Sequence, residues 1–326
     1  MNKFKKIGLT ALAASLVSVS AHAGEMSVAG SASMNVEGYS GEDMNAGSGF
    51  SMGNQLTFSG SGELDNGMTV SLSFVLDQGD DETDVSGATA PFDSHSVKVS
   101  SDTLGTLTLA GEGGSSAASS IDGSAAGDIW HTFDGARGAV TAVAVSDSAP
   151  GDNSLFYTLP SMMDGLDINL SYQPQGSNRE SGTGWGVTYT GIDGLTAKYA
   201  TTDEVGTTTA LSGDQTVYNV SYAIGPVTAT VSNSDFDVTT VASDQETSSY
   251  AVSYTVSDEL SITYGAETIE KGGSGTTDAE YSVVSASYTS GGMTLSAAMK
   301  DAENVANGTA TNQDFEYWTL GASFAF

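Results

Sequence analysis

The connections between the apolar-alternating segments of this chain come in two lengths that take turns, and few folds can accommodate that. Seven are short, at Asp65 to Gly67, Ser101 to Gly105, Ser161 to Gly165, Gly191 to Gly194, Gly225-Pro226, Ser257 to Glu259 and Thr289 to Gly292. Between them run long acidic stretches rich in Gly, Ser and Thr, such as "DQGDDETDVSGATAPFD", "TTDEVGTTTALSGDQT" and "KDAENVANGTATNQDFE". The segments themselves repeat with a period of two. Met68, Val70, Leu72, Phe74 and Leu76 share one face, as do Leu166, Ile168, Leu170 and Tyr172, and the pattern persists through Trp318, Leu320, Ala322, Phe324 and Phe326 at the end of the sequence. Alternation of this kind makes strands with one apolar face. Asp65-Asn66-Gly67 is a tight-hairpin signal between two of them.

Seven short turns and eight long loops join sixteen antiparallel strands, and no linker or shift of composition divides the set. An even number of strands lets the last return beside the first, so the run from Tyr317 to Phe326 is expected to pair with the one near Met26 to Val36 and leave no sheet edge. Short turns at one end and long loops at the other is the layout of an all-β, up-and-down transmembrane barrel. Two sets of tyrosines fit its two membrane interfaces. Tyr157, Tyr189, Tyr222, Tyr254 and Tyr288 precede short turns, and Tyr172, Tyr199, Tyr218, Tyr250 and Tyr264 adjoin long loops. The mean hydropathy of −0.10 does not oppose insertion, because each membrane strand needs only about 9 to 11 residues with alternate ones apolar.

Lys3, Lys5 and Lys6, the apolar run Ile7 to Val19 and Ala21-His22-Ala23 read as a secretory signal peptide over 1–23, leaving one barrel domain over 24–326. Loss of those three lysines leaves six basic residues against 40 acidic ones, a formal charge of −34. Such a surface repels nucleic acid and favours cations. There is no cysteine, so no disulfide closes the fold.

The segment Gly111 to Asp152 departs from the rest. It carries no clean amphipathic strand, and Ala139 to Val145 is assigned to this insertion because Leu155, Tyr157 and Leu159 make the better following strand. With "GELDNGMTVSLSF", "DTLGTLTLAGE", "NSLFYTLPSMMDGLDINLSY" and the final Phe326, the chain resembles the general bacterial outer-membrane porins over nearly its whole mature length. The resemblance implies a homotrimeric, sixteen-stranded diffusion channel in the outer membrane of a Gram-negative bacterium. Its third loop would fold into the lumen, with long loops extracellular and short turns periplasmic. It also implies that Phe326 is the terminal aromatic read by the outer-membrane assembly machinery.

By the same resemblance, acidic residues of the inserted loop would face basic residues of the wall across a constriction. The loop offers Glu112, Asp122, Asp128, Asp134 and Arg137, and strand parity turns Lys98, Lys198 and Lys300 towards the lumen. Six basic residues are too few for a dense cationic cluster, so the field is expected to be lopsided and the pore to prefer cations among the small hydrophilic solutes it passes. Asp77, Asp80, Asp81, Glu82 and Asp84 could hold Ca²⁺ through carboxylate oxygens, although they lack the EF-hand frame, and a diffuse cation-attracting rim is the simpler expectation. No other cofactor is indicated. His95 and His131 are the only histidines beyond the signal, and no G-x-S-x-G, H-E-x-x-H or P-loop is present, so the sequence gives no reason to expect an enzyme. The rival from another class is a non-conducting surface barrel that binds partners through its acidic loops.

Overall fold

A computed structural model describes residues 26–41, 47–77, 94–121, 123–133, 153–175, 181–204, 213–238, 244–273, 276–305, 307 and 314–326. They form sixteen strands: β1 Met26–Gly41, β2 Gly47–Glu63, β3 Thr69–Asp77, β4 Ser94–Ser101, β5 Gly105–Glu112, β6 Ser154–Thr158, β7 Leu166–Gln173, β8 Gly182–Tyr189, β9 Leu195–Glu204, β10 Gly213–Ile224, β11 Val227–Val238, β12 Gln245–Thr255, β13 Leu260–Lys271, β14 Ala279–Ser290, β15 Met293–Glu303 and β16 Phe315–Ala325. Each strand pairs antiparallel with its neighbours in the chain, and β16 pairs with β1, so the sheet is a closed barrel. All seven short turns lie where the sequence places them. The signal segment 1–23 and Ala139 to Val145 lie outside the described residues.

The turns are tight because glycine takes backbone angles that other residues resist. Gly105 has φ of 78°, and a Cβ there would run into the backbone of Thr158 and Pro160 in the next hairpin. At the seam, the Phe326 N–H donates to the Gly30 carbonyl at 2.9 Å and the Gly30 N–H donates to the Phe326 carbonyl at 2.7 Å. The Phe326 ring lies across Gly30, where any side chain would collide with it. The last residue is thus part of the closure of the ring.

Period two sends alternate side chains outward, and the outer surface is not uniform. Around β6 to β15 it carries the two tyrosine sets: Tyr222, Tyr254 and Tyr288 towards the short turns, Tyr199, Tyr218 and Tyr250 towards the long connections, each 40 to 50% exposed. Outward positions of β1 to β5 are mostly Met, Val, Leu, Phe and Gly instead, with Phe50 87% and Met52 71% exposed, and none is Tyr or Trp.

Two elements depart from simple alternation. The second strand begins at Gly47, because Phe50 and Met52 extend the apolar face of Leu56 and Phe58 across a Gly-rich stretch. In β14 the faces look mixed because Tyr281 and Val283 point inward yet are buried beneath the inserted loop.

Candidate functional site: a lumen divided by the inserted loop

After β5 the chain turns into the barrel and crosses its interior as a rope of small residues, "SSAASSI" and then "GSAAGDIWHTF". Extended loops leave backbone N–H groups without ladder partners, and buried ones must be paired. Here the wall supplies the acceptors. Ala117 N–H donates to Ser171 Oγ and Ala118 N–H to Thr202 Oγ1, both at 2.9 Å. Ala125 N–H reaches Ser232 Oγ at 2.7 Å, Ala126 N–H reaches Ser249 Oγ at 2.9 Å, and Trp130 N–H reaches Glu267 Oε1 at 2.7 Å. The other Glu267 oxygen accepts the Ser124 hydroxyl at 2.8 Å. Ser232, Ser249 and Glu267 are register partners on β11, β12 and β13, so the loop follows one row of the wall. Each anchor is worth about 0.5 to 1.5 kcal/mol, and more where Glu267 lends its charge.

Apolar packing completes the attachment. Ile129, Trp130 and Phe133 bury themselves against Ile269, Val283, Ala302 and Phe315, while Ala117, Ala118 and Ile121 pack on Ala200 and Val217. The wall is trimmed to receive the rope. A Cβ on Gly265 would come within 2.8 Å of the Ala126 methyl, and one on Gly184 within 2.8 Å of Ser171 Oγ. At the end of its described run the loop closes into one 3₁₀ turn, Ile129–Thr132, and is held from β1, where Tyr39 donates to the Thr132 carbonyl at 3.1 Å, and from β15, where Lys300 Nζ donates to Thr132 Oγ1.

The anchors thus come from β7, from β9 to β13, from β15 and from β1, and none of the described contacts comes from β2 to β5. Among the described residues, nothing of the loop covers the inner face of β2 to β5, where Ser51, Ser71, Ser73, Ser96 and Thr108 point inward.

The family model described as Gram-negative porin matches residues 8–326. The chain belongs to the Gram-negative porins. It is a multi-pass β-barrel of the outer membrane and a member of a family of channels. No curated relative matches it in sequence. Solved structures give the fold: OmpF of Salmonella typhi, in complex with daunomycin, is 13% identical with a TM-score of 0.69 over 93% of this chain and 98% of that one. An anion-selective porin from Comamonas acidovorans is 16% identical with a TM-score of 0.66, and a mutant of the Rh. blastica porin 17% identical with 0.62, each covering 93% of this chain and all of the other.

The porin barrel distributes the sequence-nominated residues unevenly. Lys98 is exposed on the open wall, opposite Ser71 and Thr108, in the register row that continues through Phe156 to the first loop anchor Ser171. Lys198 stands opposite Asn219, whose amide donates to the Gly123 carbonyl at 3.4 Å, so it lies beside the loop. Lys300 is tucked behind the loop between Thr132 and the Tyr317 ring, with Nζ 5.8 Å from the ring centre. Asp128 turns inward to its own loop: its Oδ1 accepts the Ser124 N–H at 2.9 Å and its N–H donates to Ser124 Oγ at 2.7 Å. Glu112 sits at a bulge of β4 and β5 with its carboxylate 3.9 Å from His95 Nδ1. His131 is exposed and stacks on Trp130 at 3.8 Å.

Asp122, Asp134 and Arg137 lie outside the described residues, as do Asp80, Asp81, Glu82 and Asp84. Asp77 ends β3, and no group of three acidic or histidine side chains converges as a cation site among the described residues. Glu267, 2% exposed, was missed by sequence reading, as was the Tyr39, Tyr317 and Glu37 group, in which the Tyr317 hydroxyl donates to Glu37 at 2.5 Å. A carboxylate at a lumen-facing position of a strand gives no sign in sequence that a loop will cover it.

Proposed function

We propose that this porin is a water-filled, passive diffusion channel for small hydrophilic solutes and ions, cation-preferring, working as a homotrimer without cofactor or catalysis. The observation that carries the reading is the divided lumen. A loop fastened along one wall narrows the barrel while the described residues leave the facing wall, lined with hydroxyls, uncovered, and about sixteen strands enclose more space than side chains alone can fill. The excess of 40 acidic over nine basic residues supports the cation preference.

The trimer is supported by the outer surface. Tyr and Trp settle at the levels where a bilayer meets water, and their absence from the outward side of β1 to β5 fits a face covered by protein rather than lipid. Exposed Phe50 and Met52 would be buried between copies.

Insertion of purified protein into a planar bilayer with a KCl gradient tests the reading. Current steps in groups of three and a reversal potential on the cation side are expected. Well-folded protein that passes no current would sink the channel reading and return attention to the acidic connections.

A further inference from the structure

We propose that a recess on the outer face of this barrel, between β12 and β15 at the level of the long connections, holds a lipid whose headgroup carries a free ammonium. The assignment depends on the barrel standing in a membrane and not on what its lumen conducts.

Strand parity puts the recess outside. Tyr250, Tyr264, Val284 and Met299 alternate outward and are 45 to 68% exposed, and Ala266, Glu280, Ser282, Asp301 and Glu303 share their parity. Along one register row Tyr250 stands opposite Ala266, Ala266 opposite Ser282 and Ser282 opposite Asp301, so two small residues follow the tyrosine. The aromatic belt is interrupted there. In the gap lies a cavity of about 320 Å³, walled by Tyr250 and Tyr264, whose ring centres are 6.2 Å apart, and rimmed by Glu280, Asp301 and Glu303.

The walls select the chemistry. Glu280 and Glu303 face each other across β14 and β15, and like charges so placed repel. None of the three rim carboxylates is in an ion pair among the described residues, so a cation arriving from outside would offset that repulsion. A chelated metal does not fit, because no three acidic or histidine side chains converge among the described residues. An ammonium does fit. Its three N–H groups can each reach a separate acceptor, while a tyrosine face attracts the positive charge.

The next row towards the membrane centre supplies the rest of the ligand. There Tyr264, Val284 and Met299 are successive register partners with exposed apolar side chains, a track on which an acyl chain can lie. A lipid covers both rows at once. A small soluble amine would leave the apolar row bare.

The test is native mass spectrometry of the purified mature porin, released from detergent micelles after titration with phosphatidylethanolamine or, separately, with phosphatidylglycerol of the same chains. Phosphatidylethanolamine is expected to be retained at a concentration about fivefold lower, the size of one cation–π contact and one exposed charge pair together. Ser282→Trp, which fills the recess and keeps every carboxylate, is expected to abolish the difference, and so is Glu280→Gln combined with Glu303→Gln. Glu246→Gln combined with Glu270→Gln, on the same outer face beyond the recess, is expected to leave it intact. Heat-modifiable migration on gels checks that each variant has closed its barrel. Equal retention of the two lipids, or a preference that survives both the Ser282→Trp and the paired Glu280 and Glu303 changes, overturns the proposal. Displacement of the lipid by ethanolamine at the same concentration also overturns it, by making the recess a site for soluble amines. Phosphatidylglycerol retained better than phosphatidylethanolamine once Ca²⁺ is added overturns it too, by making the carboxylates a metal bridge.

Discussion

The two inner walls of the barrel are built from the same residue types and do opposite work. On β9 to β13, inward hydroxyls such as Thr202, Ser232 and Ser249 each receive a loop N–H, and the spaces between them hold Ala, Val and Gly, so the wall is a socket. On β2 to β5, Ser51, Ser71, Ser73 and Ser96 occupy equivalent inward positions and receive nothing from the described residues of the loop. The lesson is that a lumen-facing serine has no fixed meaning. What covers it decides whether it is a fastener or a wet surface.

That contrast can be broken most severely at Glu267. Glu267→Ala removes the acceptors of the Trp130 N–H and the Ser124 hydroxyl in a place water does not reach, and a loss of about 2 to 5 kcal/mol is expected. It is read as a lower thermal-unfolding midpoint in detergent together with noisy single-channel conductance; an unchanged midpoint would mean that the loop does not depend on this anchor. Gly265→Val is next. Its side chain meets Ala126 and crowds the loop towards the open wall, at a cost of about 1 to 3 kcal/mol, and single-channel conductance is expected to fall.

Smaller effects sharpen the comparison. Ser232→Ala and Ser249→Ala each strand one loop N–H and are expected to cost about 1 kcal/mol, measured by the same unfolding transition. Ser71→Ala and Ser96→Ala, chemically identical changes on the open wall, are expected to stay within about 0.5 kcal/mol and to leave conductance as it was. Equal losses on the two walls would show that the division between socket and free surface is wrong.

The barrel was legible in the sequence because its rules are local. Period two marks each strand, and Asp65-Asn66-Gly67 or Gly225-Pro226 marks a turn without reference to anything distant. The pairing of β16 with β1 followed from an even strand count. The site was less legible because its contacts are between residues far apart in the chain: Tyr39 with Thr132, Lys300 with Thr132 and Ser124 with Glu267. Parity turned Lys300 inward but could not tell a side chain that lines water from one pinned behind a loop. The inward Tyr281 and Val283 blurred the pattern of β14 for the same reason, since burial against the loop makes an inner face apolar.

The seam carries a consequence for how the chain may be threaded. At the short-turn end, β2 joins β3, β4 joins β5, and so on to β14 and β15, while β16 and β1 meet there by hydrogen bonds alone, with Phe326 bonded to Gly30. The structure is a necklace of eight hairpins with one clasp left unsoldered. A short peptide from Phe326 to Met26 would solder it, and the necklace could then be cut inside any long connection. The strands would keep every neighbour they have now, so where this polypeptide begins is independent of the shape it closes into.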